Sequence, residues 1–165
     1  MSATLTGSLA FTATQTGTHD FGTPVLPMVV SQALSLSSGT GSNSIDVLWG
    51  DSRSLATTSE TLDLSGTLTD AFGATVSQVE VRLIYIRHTG TTGVLTIGAA
   101  AATQAYAGLL GSATDVVKIG PGGIFFWYSP TDTFGLTVAA GTADKFKIDA
   151  SASITYEIIT GGVSA

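Results

Sequence analysis

The sequence predicts an all-β fold: an antiparallel β-sandwich, jelly-roll-like, of about ten strands with little or no helix. Three observations predict it. Apolar and polar residues alternate with period two along most of the chain, and helical periodicity does not recur. Clusters of Gly, Pro, Ser, Asn and Asp separate the alternating runs. Thr and Ser make up about a quarter of the residues, and the branched Cβ of Thr suits a pleated strand.

The elements follow in order. Leu5, Leu9, Phe11 and Ala13 line one face of a first strand, with Thr4, Ser8, Thr12 and Thr14 opposite. Gln15–Gly22 reads as a loop carrying His19 and Asp20, and residues 1–20 are a candidate extended N-terminal arm. Leu26, Met28, Val30, Leu34 and Leu36 share parity along a second, long strand, where Pro27 favours an edge or a kink. Ser37–Asn43 is a turn, followed by a short strand of Ile45, Val47 and Trp49 that ends at Gly50-Asp51. Glu60–Leu64 is the next strand, and Ser65–Thr75 is turn-rich.

The strongest strand is Gln78–His88. Its parity predicts Val79, Val81, Leu83 and Tyr85 toward the core, with Glu80, Arg82, Ile84, Ile86 and His88 on the outer face. Thr89–Gly93 reads as a hairpin loop into Val94–Ile97, and Ala99–Gly111 as a long loop or arm. Gly120-Pro121-Gly122-Gly123 is expected to join Asp115–Ile119 to Ile124–Ser129 as a hairpin. Leu136–Ala139 is a short strand, and Ala150–Ser153 is expected to close a last hairpin between Phe146–Asp149 and Ile154–Ile159. No linker composition divides the chain, so residues 1–165 read as one domain.

Composition excludes several classes. The 165 residues hold 44% hydrophobic but only 11% charged side chains, with 12 Asp+Glu against 6 Lys+Arg and a net charge of −6. Disorder needs low hydrophobicity and high charge, the reverse of this balance. An acidic chain lacks the basic footprint that nucleic-acid phosphates demand. Cysteine is absent, which removes disulfides and thiolate metal sites. Pro24, Pro27 and polar residues interrupt the long uncharged stretches, so no membrane segment is expected. The start of the chain has neither a basic nor an apolar signal region, so no secretory signal is expected.

No constellation in the sequence selects a chemistry. His19 and His88 are the two histidines, without the spacing of a metal site. No Gly-x-Ser-x-Gly elbow accompanies them, and the Asp residues near turns do not form a calcium loop. Neither catalytic residues, nor a metal, nor a cofactor is expected. The aromatic run Ile124–Tyr128 is the most informative feature. Alternation places Ile124, Phe126 and Tyr128 on one face and Phe125 and Trp127 on the other, so both faces are bulky and apolar. Such a strand is either central with loop cover or partly buried by another subunit, since interface cores are rich in aromatics. The candidate contact residues are Ile84, Ile86, Phe125 and Trp127.

One stretch carries a resemblance. Residues 115–161 contain Asp-Val-Val-Lys-Ile-Gly-Pro-Gly-Gly-Ile-Phe, then Phe134-Gly-Leu-Thr-Val-Ala-Ala-Gly-Thr-Ala-Asp144, then Ile154-Thr-Tyr-Glu-Ile-Ile-Thr-Gly161. The Pro-Gly-Gly turn, the Ala-Gly-Thr-Ala-Asp turn and the terminal Tyr-x-Ile strand resemble small β-rich virion structural proteins of tailed bacteriophages, of the capsid decoration or cement type. The resemblance implies a non-enzymatic jelly-roll-like subunit of the virion, made in the host cytoplasm. It implies the major capsid protein and further copies of itself, as a homotrimer, for partners. The alternative is a receptor- or carbohydrate-binding module of a tail fibre or tail tip, which needs an exposed aromatic platform such as Trp49 or Trp127.

Overall fold

The computed structural model describes residues 2–98, 109–112, 114–131 and 133–164. It is all-β and sandwich-like. Twelve strands are assigned among the described residues: β1 (Leu5–Thr16), β2 (Val25–Ser38), β3 (Ser44–Ile45), β4 (Val47–Ala56), β5 (Ser59–Asp63), β6 (Glu80–His88), β7 (Leu95–Gly98), β8 (Val116–Ile119), β9 (Ile124–Tyr128), β10 (Leu136–Thr137), β11 (Lys145–Ala150) and β12 (Ser153–Val163). Most of the Ala99–Gly111 segment, expected as a loop or arm, lies outside the described residues.

Two sheets make the body. One has the order β10-β6-β12-β4, with β9 also paired to β6; the other has the order β5-β11-β7-β8. Their facing side chains fill the core: Trp49 and Leu55 of β4, Ile84 and Ile86 of β6, and Ile154, Tyr156 and Ile158 of β12 come from the first sheet. Leu62, Leu95, Ile97, Ile119, Phe146 and Ile148 come from the second. Burying such aliphatic side chains contributes about 1.5–3 kcal/mol each, which is what holds the sheets together.

The third sheet is different in kind. β1 and β2 form one antiparallel hairpin in continuous register from Leu5↔Leu36 to Thr16↔Val25, closed by a turn in which His19 and Gly22 exchange backbone hydrogen bonds. At about 3.4 Å per residue, this ribbon is about 40 Å long. Among the described residues, only its root is tied to the body. Ser37 and Ser38 pair in parallel with Ser44 and Ile45 of β3, and Leu36 is buried. The expected strands within residues 5–36 are present, and Leu5–Thr16 of the candidate arm forms one strand of a paired ribbon.

Three expected hairpins are instead corners between sheets. β6 and β7, β8 and β9, and β11 and β12 follow one another in the chain, yet each pair divides between the two body sheets. The turn chemistry at Gly90–Gly93, Gly120–Gly123 and Ser151–Ala152 is real, but turn residues specify a reversal and not which neighbour the strand will pair with. β4 also runs past Gly50, to Ala56, because Ser52, Arg53 and Ser54 continue the ladder against β12.

The face of β6 is corrected as well. The β6–β12 register jumps from Leu83↔Gly161 to Val81↔Gly162, leaving Arg82 as an extra, unpaired residue. This β-bulge inverts the parity of everything beyond it. Val81 points into the core, but so do Ile84 and Ile86, while Leu83 and Tyr85 turn outward. Gly162 is required here: a Cβ at that position would lie 2.2 Å from the Glu80 carbonyl oxygen.

Candidate functional site

The bulge decides which residues a partner can reach. Ile84 is 1% and Ile86 0% exposed, both inside the core, so these two expected contact residues present no surface. Phe125 and Trp127 are half-buried and pack against the same core. The structure brings all four together, on the inner side of the sheet, and leaves the opposite side to a different set.

That opposite side has an uncharged floor. Cross-strand register aligns Gly50, Ile159, Tyr85 and Phe126 in one row and Leu48, Gly161, Leu83 and Tyr128 in the next. The following row, Ser52, Glu157, Arg87 and Ile124, restores charge. The root of the ribbon lies over this floor. Tyr128 fixes it there, its hydroxyl donating to the Ser35 carbonyl at 3.1 Å and accepting from the Ser35 N–H at 3.4 Å. Between ribbon and floor remains a crevice of about 200 Å³ lined by Leu5, Gly7, Leu34, Leu83, Tyr85, Phe126 and Ile159, with no charged side chain.

The ribbon continues the crevice outward. Register places Leu5, Gly7, Leu9, Phe11 and Ala13 of β1 on the same face as Leu36, Leu34, Gln32, Val30 and Met28 of β2. Two apolar stripes thus merge into one. Near the body this face covers the floor. Beyond it, Phe11 is 59% and Val30 60% exposed, with Leu26 and Met28 bare beside them. Phe21 at the tip is 94% exposed, against the ring of His19 at 5.7 Å. Asp20 is the sole charged side chain before Asp46.

Arg82 locks the root of this arrangement. Its guanidinium is fully buried and pairs with Glu80 Oε1 at 2.7 Å. It also donates to the carbonyls of Ser44 (2.7 Å), Thr40 (3.4 Å) and Gly41. The charge that the bulge leaves inside is thereby satisfied by the turn that joins β2 to β3, as a buried cation must be. A second network ties the two body sheets. Tyr156 donates to Glu60 Oε1, and Arg53 holds Glu60 Oε2 at 2.6 Å and Asp51 at 2.7 Å. Burial first, and then the hydrogen bond to Glu60, push the Tyr156 hydroxyl well above the ordinary tyrosine range; the bond to Glu60 likewise raises Arg53.

The remaining candidates sit apart from these features. His19 is at the ribbon tip, where its Nδ1 accepts from the Phe21 N–H at 3.3 Å. His88 is fully buried, its Nδ1 accepting from Gly90 N–H at 3.1 Å. Among the described residues, no group of three or more His, Cys, Asp or Glu is placed to hold a metal ion. No helix among them is long and apolar enough to cross a membrane. Trp49 is 4% exposed and Trp127 half-buried, so neither indole offers the open platform that glycan stacking requires.

Alternation alone missed the floor, because the bulge that exposes Tyr85 and buries Ile86 leaves no mark in the period. The signal for the ribbon was present: two apolar stripes of matching length on either side of a turn, in a stretch with one charge. Models of known protein families do not match this sequence, and no curated protein matches it.

Proposed function

We propose that the protein is a non-enzymatic structural subunit of a tailed-bacteriophage virion, a head decoration or cement protein that binds the assembled capsid and stabilises it. The observation that carries the reading is the ribbon. A two-stranded hairpin is marginal in water without a third element to cover it. This one holds an apolar face away from its own body, and exposed apolar faces of this kind mark sites of interaction. The motifs of residues 115–161 favour the virion as the place where those subunits are met.

The physics of a cement protein suits this chain. A subunit wedged between capsomers must bury much surface without stranding charge, because desolvating charges costs several kcal/mol per ion. Thr- and Ser-covered strands avoid that cost, and hydroxyls find hydrogen bonds readily. Binding the assembled shell and not its free subunits stabilises the shell by mass action. A homotrimer would match the three-fold positions of an icosahedral lattice.

The test is addition of the purified protein to expanded capsids, with bound copies counted by quantitative gel or mass measurement. Saturable, stoichiometric binding that raises the capsid's melting temperature is expected. Absence of binding, or a copy number matching tail components, would remove the head assignment.

A further inference from the structure

The bare ribbon and the half-filled crevice are complementary, and one chain cannot join them. The crevice sits at the ribbon's own root, where Leu5 and Leu34 of the same ribbon form its roof. Phe11 and Val30 lie several residues further out on that face, on the part of the ribbon leading away from it. We infer that the occupant of the crevice and of the floor around it is the ribbon of a second copy of this chain, entering with its apolar face and led by Phe11. The inference deepens the reading as an assembly subunit and rests on it for the setting, but not for the contact itself.

Three observations favour a second copy over a foreign partner. The first is charge. The body is acidic, and like-charged bodies repel; β1 and β2 carry no charged residue, nor do the two floor rows through Tyr85 and Leu83. Contact through these surfaces alone lets identical chains meet without opposing their acids.

The second is volume. An apolar cavity of about 150 Å³ accommodates benzene. A crevice of about 200 Å³ with no charged lining therefore suits one phenyl ring and its immediate neighbours. Phe11 is the aromatic residue on the ribbon's apolar face.

The third is area. Beyond the root, which already covers the floor, the ribbon is about 27 Å long and two strands wide and presents about 260 Å² on its apolar face. Used alone it falls short of the about 800 Å² per partner of a stable interface. A copy that both inserts its ribbon and receives one contributes two such patches, about 500 Å² per partner, the scale of a contact that dissociates on dilution. Root and tip are different patches, so the contact is either reciprocal between two copies or head-to-tail around a ring.

The absence of cysteine makes the test direct. Phe11→Cys and Ile159→Cys proteins, prepared separately and mixed under oxidation, should form the mixed disulfide-linked pair in large excess over either self-pair. Sedimentation of the unmodified protein should show an oligomer that dissociates on dilution, and Phe11→Asp with Val30→Asp should shift it to the monomer with an unchanged β-sheet spectrum. A wild-type monomer at every concentration would overturn the inference, as would an oligomer indifferent to the ribbon substitutions. Linkage of Phe11→Cys only to itself would also overturn it, since that is ribbon on ribbon. The two proposals fail separately. A monomer that still decorates capsids defeats the self-contact alone, and a ribbon-linked oligomer that ignores capsids defeats the decoration reading alone.

Discussion

The ribbon and the body use the same strands of alternating apolar and Thr-rich residues, but they dispose of the apolar side differently. In the body, Ile86, Ile148 and Ile158 of facing sheets close on one another and vanish from solvent. In the ribbon, Phe11, Met28 and Val30 are equally well aligned by register, yet among the described residues they stay exposed. Charge divides along the same line. The body contains buried Arg82 and the Arg53–Glu60 pair, each with partners, whereas the ribbon strands have no charge to satisfy. The lesson is that alternation shows a strand has two faces, while the location of charge separates the faces the body closes from the uncharged face the ribbon leaves open.

Substitutions in the two regions should therefore differ in kind. The largest effect is expected at Arg82. Arg82→Ala strands Glu80 and the carbonyls of Thr40, Gly41 and Ser44, and should cost about 3–5 kcal/mol in chemical denaturation. A loss under about 1 kcal/mol would mean that the ribbon root is held by something other than this guanidinium. Ile86→Ala removes a fully buried side chain and should cost about 2–5 kcal/mol by the same measurement. A near-neutral result there would restore Ile86 to the surface and undo the inverted parity.

Tyr156 gives a smaller, pH-dependent signature. The folded protein holds its proton above the range in which the unfolded chain releases it, near pH 10. Its contribution is thus complete below about pH 10 and declines by about 1.4 kcal/mol per pH unit above it. Unfolding free energies between pH 8 and about 11 should fall less steeply in Tyr156→Phe than in the parent. The smallest effect belongs to the ribbon. Measured at dilution, where copies are separate, Phe11→Ser should change the body's unfolding free energy by less than about 0.5 kcal/mol. A larger loss would show that the ribbon supports its own body.

Much of this was legible in residue order, and what was not has identifiable causes. The all-β class, the two ribbon strands and the turns could be read, because alternation and turn chemistry are local. Residues 5–36 could be read correctly, since Leu5↔Leu36 through Ala13↔Met28 keep one parity without interruption. The candidate site failed at a single residue. Arg82 bulges out of register, so Ile84 and Ile86 moved to the core and Leu83 and Tyr85 to the floor. Pairing across sheets was also hidden: Gly120–Gly123 reads like a hairpin turn, but β8 joins β7 and β9 joins β6. Partner choice depends on which apolar faces meet at a distance, and local turn chemistry does not encode it.

The uncharged ribbon has a consequence for conditions. Contacts made by β1 and β2 contain no ion pairs for dissolved ions to screen, so ionic strength barely alters them at ordinary concentrations. Sulfate and phosphate, which strengthen apolar burial, would tighten them, and chilling would loosen them as the hydrophobic driving force fades. An assembly bound in this way comes apart in the cold room more readily than in brine.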